Sequence, residues 1–226
     1  DLSAALVGAI AFQFNGFFIG HFEQYGMFAV VIWVPGVLWM LDRAWHYAEG
    51  HQQTMYMIFA GFFISQIVMG GNPELIFYCG LFLLAYFLFR WLFVLQLWRF
   101  LMDLDFGTLW EHPVFRIPVL SLVAIIFAAG LSAVATLPML ERISLTVSSG
   151  EVGYIVSSQS PLMPRNLITL LIPEFLNWSG SEFRIYAGIL TLVLILVAWY
   201  VPNEKIPERG FFSGVIIVAV ILSMGS

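Results

Sequence analysis

The chain has 226 residues, of which 61% are hydrophobic and only 10% are charged, and its formal net charge is −5. About a quarter of the residues of an ordinary soluble domain are charged, so this composition and a mean hydropathy of +0.92 indicate a protein solvated in part by lipid. Nine basic residues without a basic run exclude a polyanion-binding surface, and we expect no nucleic-acid partner.

Seven apolar runs predict transmembrane helices, because a bilayer core about 30 Å thick requires about 20 apolar residues in a helix. In chain order they cover residues 3–20, 27–41, 55–69, 75–98, 117–140, 185–201 and 211–226. The second and third runs are short, which predicts tilted, partial or re-entrant segments. Pro35 in the second run, and Pro118 and Pro138 at the ends of the fifth, are expected to kink or end helices.

These runs predict an all-α fold, namely a polytopic transmembrane helix bundle formed by residues 1–226 as a single domain. The first residues lack an initiator methionine and a signal peptide, and the last residues lie within an apolar run. We therefore expect the chain to be a fragment of a larger protein.

Basic residues between the runs predict the orientation of the bundle. If the runs alternate across the bilayer, six basic residues share one side and three share the other. The six are Arg43, Arg90, Arg99, Arg116, Lys205 and Arg209, and the three are Arg142, Arg165 and Arg184. The positive-inside rule favours the larger set as cytoplasmic, which places the polar segment 141–184 outside. Within it, residues 166–172 predict a short amphipathic helix lying on the membrane, because so short a segment cannot span it.

The motifs of soluble enzymes are mostly missing from the sequence. It has no glycine-rich phosphate loop, no nucleophile elbow and no histidine pair at zinc-binding spacing. Asp103 and Asp105 form a pair of the kind that holds a divalent cation against a phosphate, but a solvated cytoplasmic loop is the favoured interpretation. His21 could serve as a single axial haem ligand, yet we favour an interfacial, hydrogen-bonding histidine, because metal sites need several convergent ligands. No metal site is predicted.

Polar side chains at the predicted outer ends of the runs are the candidate substrate-binding residues. They are His21, Glu23, Gln24, Asn72, Glu74, Arg142 and Arg165. A carboxylate in the first turn of a helix complements the helix dipole, and this role is favoured for Glu74 over a ligand role. Arg142 and Arg165 are suited either to bind phosphate or to anchor the segment at the interface, and the sequence does not separate these two roles.

The chain resembles the bacterial YfhO-type membrane-protein family, whose members are similar to GT-C type glycosyltransferases. The resemblance rests on GHFEQY at residues 20–25, WVP at 33–35, GGNPELIFY at 70–78, LPMLER at 137–142, PRNLITLLIPEF at 164–175 and YAG at 186–188. It extends over nearly the whole chain and concerns the order and pattern of these segments, not an invariant signature.

The resemblance implies a GT-C-like enzyme of the bacterial inner membrane, which transfers a sugar from a polyprenyl-phosphate carrier to a cell-envelope acceptor on the outer face. This chemistry requires a carboxylate base for the acceptor hydroxyl, and cationic side chains or a divalent cation for the departing phosphate. In GT-C architectures the acid usually lies in the first outer loop, so the base is expected upstream of residue 1. Arg142 and Arg165 are the candidates for carrier phosphate, and membrane lipids and the lipid-linked donor are the expected partners.

Two other classes of function fit the composition. With 17% aromatic residues, the chain suits a non-catalytic subunit that packs against other membrane subunits of a respiratory, photosynthetic or transport complex. A transporter would be indicated by charged residues near span centres. The central parts of these runs carry none, which weakens the transporter interpretation.

Overall fold

The computed structural model is helical, and it describes residues 2–21, 23–46, 50–94, 113–145, 164–172, 189–200 and 207–223. Within these ranges there is no strand, which confirms the predicted all-α class.

Nine α-helices form the described part of the chain. They are α1 (Leu2–Gln13), α2 (Gly16–Gly20), α3 (Tyr25–Val31), α4 (Val34–His46), α5 (Gly50–Met69), α6 (Pro73–Phe89), α7 (Pro113–Leu145), α8 (Ile189–Tyr200) and α9 (Pro207–Ser223). A π-helical turn, Arg90–Val94, continues α6, and a 3₁₀ helix, Pro164–Leu170, lies between α7 and α8 in the sequence.

The chain divides into two compact units. Unit 1 comprises Asp1–Tyr25 and Glu151–Ser226, and unit 2 comprises Gly26–Gly150. Unit 1 thus contains α1, α2, the 3₁₀ helix, α8 and α9, whereas unit 2 contains nearly all of α3 and the whole of α4 to α7.

Within unit 2, α5 packs antiparallel to α4. At one end of this pair, the side-chain amide of Gln53 donates to the carbonyl oxygen of Ala44 at 3.0 Å. At the other end, the rings of Trp33 and Phe63 stack with their centroids 5.8 Å apart. Because Trp33 immediately precedes α4, the contact between the two helices extends over the whole length of α4.

On the other side of α5, α7 runs parallel to it. The Ser121 hydroxyl lies 3.9 Å from the sulfur of Met57, and further along both helices Gly61 lies directly against the backbone of Ala124. Small residues at such contacts allow two helix backbones to approach closely.

The fourth helix of the bundle, α6, lies beside α4 with the C-terminal ends of both helices together. Trp45 of α4 contacts Tyr86 edge-on, with the ring centroids 6.3 Å apart, and it contacts Phe87 at 5.5 Å. Helices α4 and α6 therefore run in one direction, and α5 and α7 run in the other. This alternation is that of an up-and-down four-helix bundle.

Among the residues that the structure describes, four helical stretches are long and apolar enough to cross a membrane. They are Leu2–Gly20, Tyr25–His46, Pro73–Phe93 and Phe115–Arg142, and they correspond to the first, second, fourth and fifth predicted runs. The third run forms α5, which has 20 residues but is less apolar, and the last two form α8 and α9, of 12 and 17 residues. The structure supports a polytopic membrane protein with four candidate spans, and the count of seven stays a prediction.

The three prolines of the predicted runs behave differently. Helix α3 ends before a turn at Ile32 and Trp33, and Pro35 lies in the first turn of α4, where its missing N–H forfeits no helical hydrogen bond. Pro118 and Pro138 instead lie inside the continuous helix α7. They therefore do not end the helix, because α7 extends beyond the apolar run at both ends and transmembrane helices tolerate proline, and a kink at either proline stays a prediction.

The short helix predicted at residues 166–172 is present as the 3₁₀ helix Pro164–Leu170. It begins two residues earlier than predicted, at a proline whose fixed φ and missing N–H suit the first helical position. At its end the Leu171 N–H donates to the carbonyl oxygen of Ile168 at 3.0 Å. Its location on a membrane surface stays a prediction. Asp103 and Asp105, and most of the segment 141–184, lie outside the described residues.

Candidate functional site

The helices of unit 2 end in two groups of polar residues. The basic end, as we name it, combines the last turn of α4, the end of α6 and the first turns of α5 and α7, and it carries Asp42, Arg43, His46, Arg90 and Arg116. The opposite end, here the turn end, combines the α5–α6 turn at residues 70–74 with the last turns of α7. Sequence alternation predicts the same partition of these arginines, and which end faces the cytoplasm stays a prediction.

Asn72 begins helix α6 at the turn end. Its side-chain Oδ1 accepts a hydrogen bond from the Leu75 N–H at 3.0 Å, while its own backbone is extended, with φ −102° and ψ 101°. This is the geometry of an N-cap. Pro73 follows at the start of the helix, and Glu74 is exposed in the first turn, as its dipole role requires. The capping bond occupies the oxygen of Asn72 and leaves its amide nitrogen for contact with a ligand.

The turn that carries Asn72 packs tightly against α3. Gly71 has a φ of +77°, a left-handed conformation that glycine adopts without steric cost. A Cβ at Gly70 would lie 2.6 Å from Cγ2 of Val30 and 2.9 Å from its backbone nitrogen. A side chain at that position would therefore separate the turn from α3, and the two glycines hold Asn72 and Glu74 in place.

The seven candidate residues divide between the two units. Unit 2 holds Asn72 and Glu74 on one turn, and it places the exposed Arg142 in the last turn of α7 at the same end. A cation there complements the helix dipole. The other four, His21, Glu23, Gln24 and Arg165, belong to unit 1, and the side chain of Arg165 lies outside the described part.

His21 caps the C-terminus of α2. Its Nδ1 lies 3.0 Å from the carbonyl oxygen of Phe17, which is four residues earlier, and its ring stacks on the Phe17 ring at 4.8 Å. Because a carbonyl only accepts, Nδ1 carries the proton in this arrangement. The ring thus makes the hydrogen bond that the sequence predicts, and this bond does not bear on haem ligation, because histidines that bind metal through Nε2 commonly donate Nδ1–H to a backbone carbonyl. Glu23 and Gln24 follow as exposed residues, and the Gln24 N–H donates to the His21 carbonyl at 2.8 Å.

An ion pair at the basic end, between the buried Arg90 and the partly exposed Asp42, was not predicted from the sequence. Arg90 is only 4% exposed, its Nη2 donates to Oδ1 of Asp42 at 2.9 Å, and its guanidinium lies 5.5 Å from the ring centroid of Trp45. From the sequence, Arg90 is only a marker of topology. The available signal was its position inside the apolar run 75–98, because a charge within such a run requires a partner.

No group of three or more His, Cys, Asp or Glu side chains is placed to hold a metal ion within the ranges that the structure describes. Comparisons of the chain with protein-family models, with curated proteins and with solved structures find no match. The fold therefore defines a class, a helical protein with four candidate membrane spans, and the glycosyltransferase resemblance stays a prediction.

Proposed function

We propose that the chain is part of a multi-pass glycosyltransferase of the bacterial inner membrane, which transfers a sugar from a polyprenyl-phosphate carrier to a cell-envelope acceptor. The sequence resemblance motivates the proposal. The structural observation that best supports it is the turn end of unit 2, where Asn72 and Glu74 lie on one turn and α7 extends beyond that turn to the exposed Arg142.

The chemistry of these side chains suits a sugar linked to phosphate. Arg142 presents a planar guanidinium that can hold two phosphate oxygens at once. The amide nitrogen of Asn72 and the carboxylate of Glu74 offer a donor and an acceptor for sugar hydroxyls. Arg165, the second phosphate candidate, and His21, Glu23 and Gln24 belong to unit 1, and their contact with the substrate stays a prediction from the sequence resemblance.

The proposal is tested by sugar transfer from polyprenyl-phosphate donors in the intact protein. The variant Arg142→Gln combined with Arg165→Gln should lower kcat/KM by about tenfold or more, since a hydrogen bond to a charged group contributes about 1.5–3 kcal/mol. Arg43→Gln, the same change at the basic end, is the matched control and should leave kcat/KM unchanged. Normal transfer by the double variant would reject the phosphate role, and the absence of transfer by the wild type would reject the function.

One observation favours the alternative, a non-catalytic subunit of a larger membrane complex. Helix α1 buries none of its residues, and Leu2 and Leu6 are 86% and 61% exposed, so its apolar surface is suited to packing against partner helices. Purification in a mild detergent discriminates the two. A stoichiometric partner together with absent sugar transfer would establish the subunit.

A further inference from the structure

A shallow polar pocket of about 360 Å³ lies on α4, at the basic end of unit 2. Its lining residues are Trp39, Asp42, Arg43 and His46. They are three or four positions apart and therefore share one face of the helix. The opposite face of α4 is buried in unit 2, where Val37 and Ala44 are 0% exposed. The pocket therefore opens away from the core of unit 2.

The pocket lies at the end of a candidate membrane span. The stretch Tyr25–His46 is long and apolar enough to cross a bilayer, and the lining residues belong to its last turns. Trp39 is 57% exposed, and tryptophan is enriched at the level of the lipid headgroups. Arginine near the end of a span directs its charged group to the same level. In a membrane, the molecules with direct access to the pocket are therefore phospholipid headgroups.

The charges of the pocket favour an anionic headgroup. The guanidinium of Arg90 donates to Oδ1 of Asp42 at 2.9 Å, so the charges of these two groups offset each other. Arg43 then gives the pocket a net positive charge. Guanidinium groups bind phosphate oxygens, often two at a time. In a zwitterionic phospholipid an ammonium group already offsets the phosphate, whereas an anionic phospholipid brings the complementary net charge.

Two acceptors in the pocket favour a headgroup with hydroxyl groups. The Nδ1 of His46 lies 2.8 Å from the carbonyl oxygen of Asp42. Because a carbonyl only accepts, Nδ1 carries the proton, and Nε2 of the neutral ring is then an acceptor. The side chains of His46 and Asp42 are 65% and 42% exposed, and a carboxylate can accept several hydrogen bonds. Both acceptors are thus accessible to hydroxyl donors.

These features together define one occupant. We propose that the pocket binds an anionic phospholipid with a polyol headgroup, as phosphatidylglycerol has. Its phosphate contacts Arg43, its glycerol hydroxyls donate to His46 and Asp42, and the ring of Trp39 packs against it. The site lies at the opposite end of unit 2 from the turn end and does not rest on the proposed enzyme activity.

Photolabelling of the intact protein in phosphatidylcholine vesicles tests the site. A trace probe of phosphatidylglycerol or phosphatidylcholine carries a diazirine near the headgroup end of one acyl chain, and adducts are mapped by peptide mass spectrometry. Labelling of Trp39 is divided by that of Tyr78, an aromatic residue of α6 that is 54% exposed against 57% for Trp39. The ratio should be about fivefold higher for phosphatidylglycerol, the contribution of one arginine near a headgroup. Equal ratios would overturn the proposal.

Two arginines of the basic end provide a matched pair of variants. Arg43 lines the pocket, whereas Arg116 does not. Arg43→Gln should abolish the preference for phosphatidylglycerol at Trp39, and Arg116→Gln should retain it. An equal loss in both variants would indicate attraction to the charge of the whole end and would overturn the pocket. Trp39 left unlabelled by both probes would mean that another protein surface covers it, which also overturns the proposal.

The hydroxyl contacts are tested with a phosphatidylserine probe, which has the same net charge but brings a carboxylate against Asp42. It should label Trp39 about fivefold less than phosphatidylglycerol, the value expected for one neutral hydrogen bond. His46→Phe removes an acceptor and should reduce this difference. Equal labelling by the two anionic probes in the wild type would reject the hydroxyl contacts. Arg43→Gln should retain sugar transfer, because Arg43 lies far from the turn end, so the two proposals fail separately.

Discussion

Gly61 sets the distance between α5 and α7, and replacing it with alanine should separate the two helices. A Cβ at this position would lie 2.6 Å from the carbonyl oxygen of Ala124 and 3.2 Å from its carbonyl carbon. Both atoms belong to the backbone of another helix and cannot rotate away as the end of a side chain can. The helices must therefore move apart by several tenths of an ångström along the most extensive helix contact of unit 2.

The expected cost follows from two opposing terms. Inserting a methyl group into a packed interface costs about 1–3 kcal/mol, and alanine regains about 1 kcal/mol over glycine through helix propensity. Gly61→Ala should therefore lower the free energy of unfolding by about 0–2 kcal/mol. Gly130 is also helical, and a Cβ there would meet no atom within 4 Å. Gly130→Ala therefore has only the gain in helix propensity and should be neutral or stabilising.

Thermal unfolding of the intact protein in one detergent measures both variants. Gly61→Ala should lower the Tm by up to several degrees, and Gly130→Ala should not lower it. Equal Tm values, or a Gly61→Ala variant more stable than the wild type, would show that the α5–α7 interface is not limited by this backbone contact.

Two further predictions concern the ends of unit 2. Asn72→Ala removes the acceptor of the Leu75 N–H and should cost about 1 kcal/mol of stability. Asn72→Asp retains an acceptor and should keep the wild-type Tm. An equal loss of Tm in both variants would contradict the capping role. Asp42→Asn weakens the counter-charge of Arg90. Because the Asp42 side chain is 42% exposed, water screens the pair, and the free energy of unfolding should fall by about 1–2 kcal/mol. Adding Arg90→Met to Asp42→Asn should recover part of this loss in Tm, because the buried charge is then removed; a second loss as large as the first would contradict the reasoning.

The positions of the helices could be predicted from the sequence, because a bilayer requires long apolar runs and requires their backbone groups to bond within the helix. The start of α5 could not. Residues 50–54 contain His51 and Gln53, which average hydropathy treats as loop residues. In the structure Gln53 is only 2% exposed and donates to the Ala44 carbonyl. Hydropathy does not record that a polar side chain has a partner on the neighbouring helix.

Within the candidate site, features formed by neighbours in sequence could be predicted, whereas those that join residues far apart in sequence could not. The cap at Asn72 could be predicted, because Asn, Pro and an acid in succession satisfy the first turn of a helix through neighbours in sequence. The pair formed by Asp42 and Arg90 joins residues 48 positions apart, and it depends on the C-terminal ends of α4 and α6 lying side by side. Only the packing of Trp45 against Tyr86 and Phe87 establishes that arrangement.

Helix α5 carries polar side chains and yet contacts both α4 and α7. A polar side chain within a membrane needs a hydrogen-bond partner, either on a neighbouring helix or in the backbone of its own helix. In α5, Gln53 bonds to Ala44 of α4, and the Ser65 hydroxyl donates to the Phe62 carbonyl at 2.7 Å. The 20 residues of α5 extend over about 30 Å, the thickness of a bilayer core. Because α5 lies along α4 and α7, which belong to two candidate spans, crossing by those helices entails crossing by α5. Helix α5 is then a fifth candidate span among the residues that the structure describes, beside the four apolar stretches.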